Sequence, residues 1–486
     1  MKRLETGVPE FDLVLDGGLP LGSLVVFAGG PGTGKTTLAQ QISFTVATPE
    51  HKAIYYTTLA EPHDKLVRYV EGFEFFDATA LEQRVEFINL GDLLIEEGGR
   101  NGDPLGPMIT EVVRTCFERK PCVIVIDSAK ALRDFVDEGA LRRVIYDLAG
   151  KVAHSDTVVL FLGEYADEEI EGSPESSIAD GIVQFAYESR EPVDRRWLRV
   201  RKLRGAHHLA GKHSFEIGKA GITVYPRLET IAITPGDEPG AGERISSGIA
   251  RLDELMGGGS QMGDATAILG PSGSGKTIAC LHFVVQGLEE SERCLIVSFQ
   301  ETPSQLIEKA AQFGWDLAGA CESGQLTIYH VPSGDLDLDT IGAAVRAELA
   351  DGSLRRVAID SLGELVFASR ETERFPAFAR ALTGSIRAGG ASSLITSETT
   401  MLGPTAEPLA HLSFLFHNVL LLRYIEIESE IRRAISILKM RDSNHAKGIW
   451  EFAIDEHGLA IGDKLEGLTG LLGWTALRDD PPRSGS

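Results

Sequence analysis

The chain has 486 residues, of which 43% are hydrophobic and 24% charged, and its formal net charge is −24. This length predicts about two to four domains, each large enough to bury its own core. The negative charge argues against constitutive binding of nucleic acid or anionic lipid, because such a surface repels phosphate groups unless a local basic patch overrides it.

Cysteine usage and the hydrophobic segments favour a cytoplasmic protein without a membrane partner. The five cysteines are odd in number and form no CxxC pair, so neither a disulfide framework nor a zinc site is expected. Residues 1–12 lack the apolar core of a signal peptide. The longest apolar stretch, 409–424, is too short to span a bilayer and contains His411, His417, Asn418 and Arg423.

Four short motifs occur twice in the chain, in the same order. Their spacing is nearly constant, since Lys35 and Lys276 are 241 positions apart and Asp127 and Asp360 are 233 apart. Such an offset indicates a duplicated domain rather than an array of short repeats. The paired motifs are GGPGTGKTT (29–37) and GPSGSGKTI (270–278), VIVIDS (123–128) and RVAIDS (356–361), KLRGAHH (202–208) and KMRDSNH (439–445), and GVPEFD (7–12) and GIARLDELMGGG (248–259).

Each copy alternates short, nearly continuous apolar runs with helical patterns. Parallel strands buried on both faces have this pattern, so we expect an α/β fold: two tandem domains, each a mostly parallel twisted sheet flanked by helices. Each copy ends in segments typical of hairpin strands, at 197–203 and 434–440. The predicted parallel strands are 24–28, 53–59, 123–127 and 158–162 in the first copy and 265–269, 295–299, 357–360 and 393–396 in the second.

The domain bounds follow from the repeats and from local composition. The first domain is predicted at 1–233 and the second at 245–462. Between them, 234–244 is rich in proline, glycine and acidic residues and is predicted to be a linker. The tail, 463–486, is expected to be disordered.

Both copies contain a phosphate-binding loop pattern: glycine, four residues, then Gly-Lys-Thr. Its glycines let the backbone wrap around phosphate oxygens, and the following helix directs the positive end of its dipole at the same anion. A glycine-rich turn that binds nothing is the alternative, but the flanking strand and helix favour an ATP site. The predicted residues are Gly29, Gly32, Thr33, Gly34, Lys35, Thr36 and Thr37, and Gly270, Ser272, Gly273, Ser274, Gly275, Lys276 and Thr277.

An aspartate ends an apolar strand in each copy, Asp127 after VIVI and Asp360 after RVAI. A carboxylate there lies at the edge of the sheet beside the phosphate-binding loop, where it can orient Mg²⁺. The alternative is an aspartate that only caps the next helix. With the hydroxyls of Thr36 and Thr277, these aspartates are the predicted magnesium ligands.

ATP hydrolysis also needs a group that orients the attacking water, usually a carboxylate or glutamine at the end of a neighbouring strand. In the second copy Gln300 and Glu301 follow such a strand, and Glu301 is the predicted base. In the first copy Leu59 and Ala60 occupy these places. Only Glu61 remains, displaced by one residue, and a solvated loop carboxylate explains it equally well.

Further charged residues recur in both copies. Glu164 and Glu398 end the strands after the aspartates and are interpreted either as sensors of the γ-phosphate or as edge carboxylates. Two cations on one side of a strand also recur, which favours donation to a phosphate over a merely solvated basic face. They lie in Lys202, Leu203 and Arg204 and in Lys439, Met440 and Arg441.

These features together resemble the KaiC family, the ATPase of the cyanobacterial circadian clock and its bacterial and archaeal relatives. The resemblance covers about residues 4–462 and rests on the two loops together with SFQETP (298–303), FGWDL (313–317), the IDS motifs, RYIEIESEIRRAISILKMR (423–441) and SSGIARLDELMGGG. The loops alone would indicate only the RecA superfamily. The family implies two RecA-like domains, a hexameric ring with nucleotide between subunits, cations that act across the subunit interface, and small partner proteins.

The chain departs from the family at two places. Members typically carry two adjacent glutamates after the second strand of each domain, where this chain has Leu59-Ala60 and Gln300-Glu301. Clock members phosphorylate an adjacent Ser-Thr pair in the second domain, and the matching residues here are Ser413 and Phe414. Ser413 is therefore the one candidate acceptor for autokinase activity, although an ordinary hydroxyl at a strand start also explains it. The pattern indicates a KaiC-like ATPase outside the core clock.

Three functions are consistent with the sequence. The first is an ATP-driven switch, a ring whose nucleotide state and phosphorylation set the binding of a partner. The second is a DNA-dependent motor or recombination ATPase, which the acidic charge and the lack of a basic, aromatic-interleaved segment disfavour. The third is a scaffold that binds ATP without turnover, suggested by Gln300, Leu59 and Ala60.

Overall fold

The structure is a computed structural model in which the chain divides into two compact units, Met1–Ile231 and Ala232–Ser486. It describes residues 2–57, 63–81, 83–90, 105–128, 132, 138–172, 174–190, 193–232, 242–332, 336–369, 373–399, 414–441, 444–466, 468–469 and 477–478.

The first unit alternates strands and helices after a short pair of N-terminal strands. Its strands are β1 (Arg3–Leu4), β2 (Leu19–Pro20), β3 (Leu24–Gly29), β4 (Ala53–Thr57), β5 (Val85–Asn89), β6 (Val123–Asp127), β7 (Val158–Glu164), β8 (Gly181–Arg190), β9 (Val193–Leu203), β10 (His213–Gly218) and β11 (Gly221–Tyr225). Its helices are α1 (Pro9–Val14), α2 (Lys35–Val46), α3 (His63–Val70), α4 (Gly106–Glu118), α5 (Glu138–Val152), α6 (Asp167–Gly172) and α7 (Pro174–Ile178).

In this unit β3 to β11 form one sheet in the order β5–β4–β6–β7–β3–β8–β9–β10–β11. The strands from β5 to β8 are parallel to their neighbours, and the remaining pairs are antiparallel. The carboxyl ends of β3, β4, β6 and β7 therefore lie at one edge of the sheet. Ligands of open α/β sheets bind at such an edge, so the topology places the first glycine loop and Asp127 together.

The parallel strands are apolar because both of their faces are covered. Val25 and Phe27 of β3 lie in the core on one face, together with α1 and α2, while Leu24 and Val26 lie in the core on the other face. Successive residues of a strand point to opposite faces, so a strand between two cores has no polar side.

The second unit repeats the same plan. Its strands are β12 (Arg244–Ile245), β13 (Ser260–Gln261), β14 (Ala265–Gly270), β15 (Arg293–Ser298), β16 (Leu326–His330), β17 (Leu354–Asp360), β18 (Ser392–Glu398), β19 (Asn418–Ile427), β20 (Glu430–Met440), β21 (Ile449–Asp455) and β22 (Gly458–Lys464). Its helices are α8 (Ala250–Leu255), α9 (Lys276–Glu289), α10 (Pro303–Ala311), α11 (Leu317–Glu322), α12 (Leu338–Leu349), α13 (Leu362–Ser369) and α14 (Phe375–Ala388).

The strands from β14 to β22 form the second large sheet, in the order β16–β15–β17–β18–β14–β19–β20–β21–β22. Strand for strand this order matches the first sheet, which confirms the duplicated, mostly parallel α/β architecture. The predicted hairpin strands 197–203 and 434–440 lie within β9 and β20, which pair antiparallel with β8 and β19. On α9, Leu281 and Val284 face the core of this unit.

One further strand pair lies outside the large sheets, in the predicted tail. There Leu468–Thr469 (β23) and Leu477–Arg478 (β24) pair antiparallel. Among the described residues, the helices are too short or too polar to cross a bilayer. The bounds predicted for the domains, the linker and the tail stay predictions.

Candidate nucleotide-binding sites

Each glycine loop joins the central strand of its sheet to a long helix. In the first unit Gly32 and Gly34 have φ values of 70° and 95°, and in the second Gly273 and Gly275 have values of 74° and 101°. L-residues with a Cβ atom avoid this left-handed region, so the backbone itself requires glycine there. Lys35 and Lys276 then begin α2 and α9. Both loops thus have a helix N-terminus directed at the space that a phosphate would occupy.

The loop lysines are held by the backbone of their own loops. The ammonium of Lys35 donates to the carbonyl oxygens of Gly29 and Gly30, at 2.9 and 2.7 Å. The ammonium of Lys276 makes the equivalent bonds, both of 2.9 Å, to Gly270 and Pro271. These bonds keep each cation at its loop, and among the described residues neither ammonium forms an ion pair.

Burial lowers the pKa of both lysines. For Lys35 the nearby carboxylates of Glu164 and Asp127 oppose this shift, and for Lys276 those of Glu398 and Asp360 do so. The predicted edge glutamates therefore lie close enough to act electrostatically on the loop lysines. A bound phosphate would stabilise the ammonium form of each lysine further, since an opposite charge favours the charged state.

The threonine after each lysine contacts the strand-end aspartate. The Thr36 hydroxyl donates to Oδ2 of Asp127 at 3.0 Å, and the Thr277 hydroxyl donates to Oδ2 of Asp360 at 2.6 Å. Hard oxygen donors of this kind suit Mg²⁺, which keeps several waters and phosphate oxygens as ligands. In the part of the chain that the structure describes, no group of three or more His, Cys, Asp or Glu side chains could hold a metal ion.

The two aspartates differ in their second contact, which the sequence did not reveal. The Tyr55 hydroxyl on β4 donates to Oδ2 of Asp127 at 2.7 Å. In the second unit Thr396 on β18 donates to the other carboxylate oxygen, Oδ1 of Asp360, at 2.5 Å. Both partners lie on strands beside the aspartate, so strand neighbours were the only signal that could have found them.

The predicted base of the second unit lies in an ion pair. Glu301 binds the ammonium of Lys309 on α10 through Oε1, and its Oε2 is buried without a hydrogen-bond partner among the described residues. Gln300 instead donates through Nε2 to Oε1 of Glu364, at 2.5 Å. Glu364 was missed by sequence reasoning, although it stands only four residues after Asp360.

Several predicted residues lie outside the part that the structure describes. They are Leu59, Ala60 and Glu61 of the first copy and the candidate acceptor Ser413. Phe414, beside Ser413, is 47% exposed, and the guanidinium carbon of Arg380 lies 5.3 Å from the centre of its ring.

The two cation pairs occupy equivalent positions at the ends of β9 and β20. Lys202 donates to the carbonyls of Ser176 and Ser177 at 3.2 Å, and Lys439 donates to the carbonyl of Phe416 at 2.8 Å. Burial, reinforced by the adjacent arginine, lowers the pKa of both lysines. Arg204 lies 3.7 Å from Asp180, and Arg441 donates to the carbonyl of Phe414.

Between the two cations of each pair, Leu203 is buried and Met440 is half-buried against the core of its unit. The alternation is that of a strand with one apolar and one cationic side. That these cations act on the nucleotide of a neighbouring subunit stays a prediction.

Comparison with known proteins places these sites in a family. A sequence model described as "ATPase: KaiC" matches residues 4–229 and 245–466. The circadian clock protein KaiC3 of a Synechocystis species is 30% identical, and the alignment covers 98% of this chain and 95% of the relative. The circadian clock oscillator proteins KaiC of Thermostichus vulcanus and Acaryochloris marina are 29% and 27% identical, over 92% and 91% of their lengths. The two matches fall on the two sheets, each with its own loop, and the chain belongs to the KaiC ATPase family.

Proposed function

We propose that the chain binds ATP with Mg²⁺ at both glycine loops and hydrolyses it mainly in the second unit. The observation that supports this most directly is the repeated arrangement of loop lysine, threonine and strand-end aspartate in both units. Loop N–H groups and the lysine would hold the β- and γ-phosphates. Thr36 with Asp127, and Thr277 with Asp360, would hold the magnesium, which on binding neutralises charge on the phosphates.

The division of work between the units rests on the groups available to act on water. After β15 the second unit has Glu301 and Gln300, and Gln300 binds Glu364 of α13, whereas the first copy has leucine and alanine in the places of Gln300 and Glu301. The first site therefore serves as a bound-nucleotide support for assembly, and the second as the turnover site. The same difference argues against a scaffold that never hydrolyses ATP.

The assembly we propose is a cytoplasmic hexameric ring, as the family resemblance implies, in which nucleotide state sets the affinity for a small regulatory protein. Phe414 replaces one of the two phospho-acceptors of clock members, so the chain would act outside the core oscillator. Autokinase activity at Ser413 would add a single phosphate. The net charge of −24 favours this switch over a DNA-dependent motor.

The test is ATP turnover by wild type, K35A and K276A, with native mass spectrometry of the assemblies and intact-mass analysis after incubation with ATP. We expect K276A to lose turnover by about 100-fold or more, since the lysine contacts the transferred phosphoryl group. K35A should mainly weaken assembly. Equal turnover in wild type and K276A would refute the division of work, and strong stimulation by DNA would support the motor instead.

A further inference from the structure

The second unit carries a carboxylate at the end of β15 that comes from another element. Ser298, the last residue of β15, lies in register with Asp360, the last residue of β17. Two residues beyond Ser298, the Gln300 side chain donates to Glu364 in the first turn of α13. The chain thus brings the Glu364 carboxylate to the strand end where Gln300 supplies only an amide.

The neighbouring carboxylate, Glu301, is poorly placed to accept a proton from water. One of its oxygens, Oε1, is bound by the Lys309 ammonium and is therefore already occupied by a donor. Its other oxygen is buried. Glu364 is only half-buried, and its Oε1 accepts a hydrogen bond from a neutral amide rather than from a cation.

An amide and a carboxylate in contact can act together on one water molecule, the amide by orienting it and the carboxylate by accepting its proton. Nε2 of Gln300 is used as a donor to Glu364, so its Oε1 is turned away from Glu364 and can accept a hydrogen bond. An amide can orient water but cannot take its proton, whereas a carboxylate can.

We propose that Glu364 is the general base of the second unit and that Gln300 orients the attacking water for it. This rests on the proposed ATP hydrolysis. The water oxygen forms a bond to the γ-phosphorus while the bond from that phosphorus to the β,γ-bridging oxygen breaks. ADP leaves with the bonding electron pair, and the water proton passes to Glu364, which returns it to solvent.

The first copy offers a contrast within the same chain. Four residues after its aspartate, at the position of Glu364, the sequence has Ala131, and at the position of Gln300 it has Leu59. At these two positions the second copy has an amide and a carboxylate, and the first copy has neither. Two separate elements change together, as expected if the two side chains act as one unit.

The test compares E364Q with E301Q and with the exchange Q300E/E364Q in the full-length chain. Loss of a general base typically costs about 10²–10⁴-fold in rate, so we expect E364Q to lower kcat at least about 100-fold. Binding of a fluorescent ATP analogue should change by less than about 3-fold, because E364Q keeps the size of the side chain and leaves Lys276, Thr277 and Asp360 unchanged. E301Q should lower kcat less than E364Q does, because Lys309 already binds one oxygen of Glu301.

The exchange variant separates a base from a structural contact. Q300E/E364Q keeps one carboxylate, one amide and the hydrogen bond between them, so it should recover kcat to within about 10-fold of wild type. Should E364Q fold poorly, E364D keeps the carboxylate on a shorter side chain and should lower kcat about 10-fold without loss of nucleotide affinity.

The outcomes are distinct. Turnover in E364Q at the wild-type rate overturns the assignment of Glu364 but leaves the proposed function standing. The same holds if Q300E/E364Q binds nucleotide normally but does not recover kcat. A larger loss in E301Q than in E364Q gives the role to Glu301. A wild type without turnover overturns both the proposed function and the assignment.

Discussion

The two units keep the same loop geometry but support it with different chemistry. Four residues before the aspartate, the first unit has the buried Val123 and the second has the fully buried Arg356. The helix after the loop contacts the final strand pair through Gln41 in the first unit and through His282 in the second. The two units thus share the loop lysine, threonine and strand-end aspartate, while the surrounding contacts are neutral in the first unit and ionisable in the second.

The largest expected effect of this difference is on stability, at Arg356. Its guanidinium binds Glu290 at 2.6 Å and also Glu292, and it donates to the carbonyls of Ser246 and Phe283 at 2.7 and 3.0 Å. R356V copies the first unit but leaves these acceptors without their donor. Because each buried acceptor left unsatisfied costs about 1–3 kcal/mol, we expect the two carbonyls alone to lower the stability of the second unit by at least about 2 kcal/mol. Hydrogen exchange measured at increasing denaturant concentration and analysed peptide by peptide gives the free energy of unfolding of each unit separately.

The matched control is R355V, at the residue that precedes Arg356 in the same strand. Arg355 is half-buried and, within the described part of the chain, donates to the carbonyl of Gly390 at 3.2 Å, so its loss should cost less than about 1 kcal/mol. A repair is also available at Gly287, where a Cβ would lie 2.5 Å from Cδ of Arg356 and where the first unit has Val46. G287V should recover part of the loss in R356V and harm the wild type. Equal stability of R356V and R355V would contradict the role of this arginine.

Sequence reasoning reached those parts of the site that depend on strand order alone. Parallel strands end at the same edge of a sheet, so the contact of Thr36 with Asp127 follows once the strands are identified. The positive φ angles of Gly34 and Gly275 likewise follow from the loop pattern.

The missed contacts depend on tertiary detail. Tyr55 lies in an apolar strand pattern, which does not predict the partner of its hydroxyl. Glu364 lies in a helical segment, and the helical pattern does not predict its contact with Gln300. The sequence predicts Glu301 as the base because it is the one carboxylate of 298–303. Whether that carboxylate can accept a proton depends on its contact with Lys309, eight residues further on. Side-chain pairing of this kind cannot be read from the spacing of motifs.

A smaller effect is expected from pH on the contact between α9 and β22. His282 accepts a hydrogen bond at Nε2 from the Leu459 N–H at 2.8 Å, which requires the neutral ring. Burial lowers its pKa from the usual 6.5 despite a hydrogen bond with Gly248 and the charge of Asp455. The unfolded chain therefore binds the proton first on acidification, and stability of the second unit is lost as pH falls below 6.5 towards the folded-state pKa. One such group contributes a slope of at most about 1.4 kcal/mol per pH unit.

The variant H282Q tests this directly, because Gln41 already makes the equivalent contacts in the first unit. Its Oε1 accepts from the Ile222 N–H at 2.7 Å, and its Nε2 donates to the Ile222 carbonyl at 3.3 Å. We expect unfolding of the second unit in H282Q to depend less on pH between 7.5 and 5.5 than in wild type, with the first unit unchanged. If the stability of the second unit depends on pH as steeply in H282Q as in wild type, the pH dependence arises from other groups.

The smallest expected effect concerns the second contact of each aspartate. Y55F removes the donor to Asp127 and T396V removes the donor to Asp360, each without deleting one of the proposed magnesium ligands. One hydrogen bond of this kind is worth about 0.5–1.5 kcal/mol, so the affinity for Mg²⁺-ATP should fall about 2- to 10-fold in the unit that is changed.

Single-site backgrounds assign each change to its unit, because K276A leaves the first site and K35A the second. Y55F should weaken binding in K276A and not in K35A, and T396V should do the reverse. The Tyr55 hydroxyl shares Oδ2 with Thr36, whereas Thr396 uses the oxygen that Thr277 does not contact. If Y55F strengthens Mg²⁺-ATP binding instead, the tyrosine competes with the metal for that oxygen, and the first site is restrained by Tyr55 in a way that the second is not.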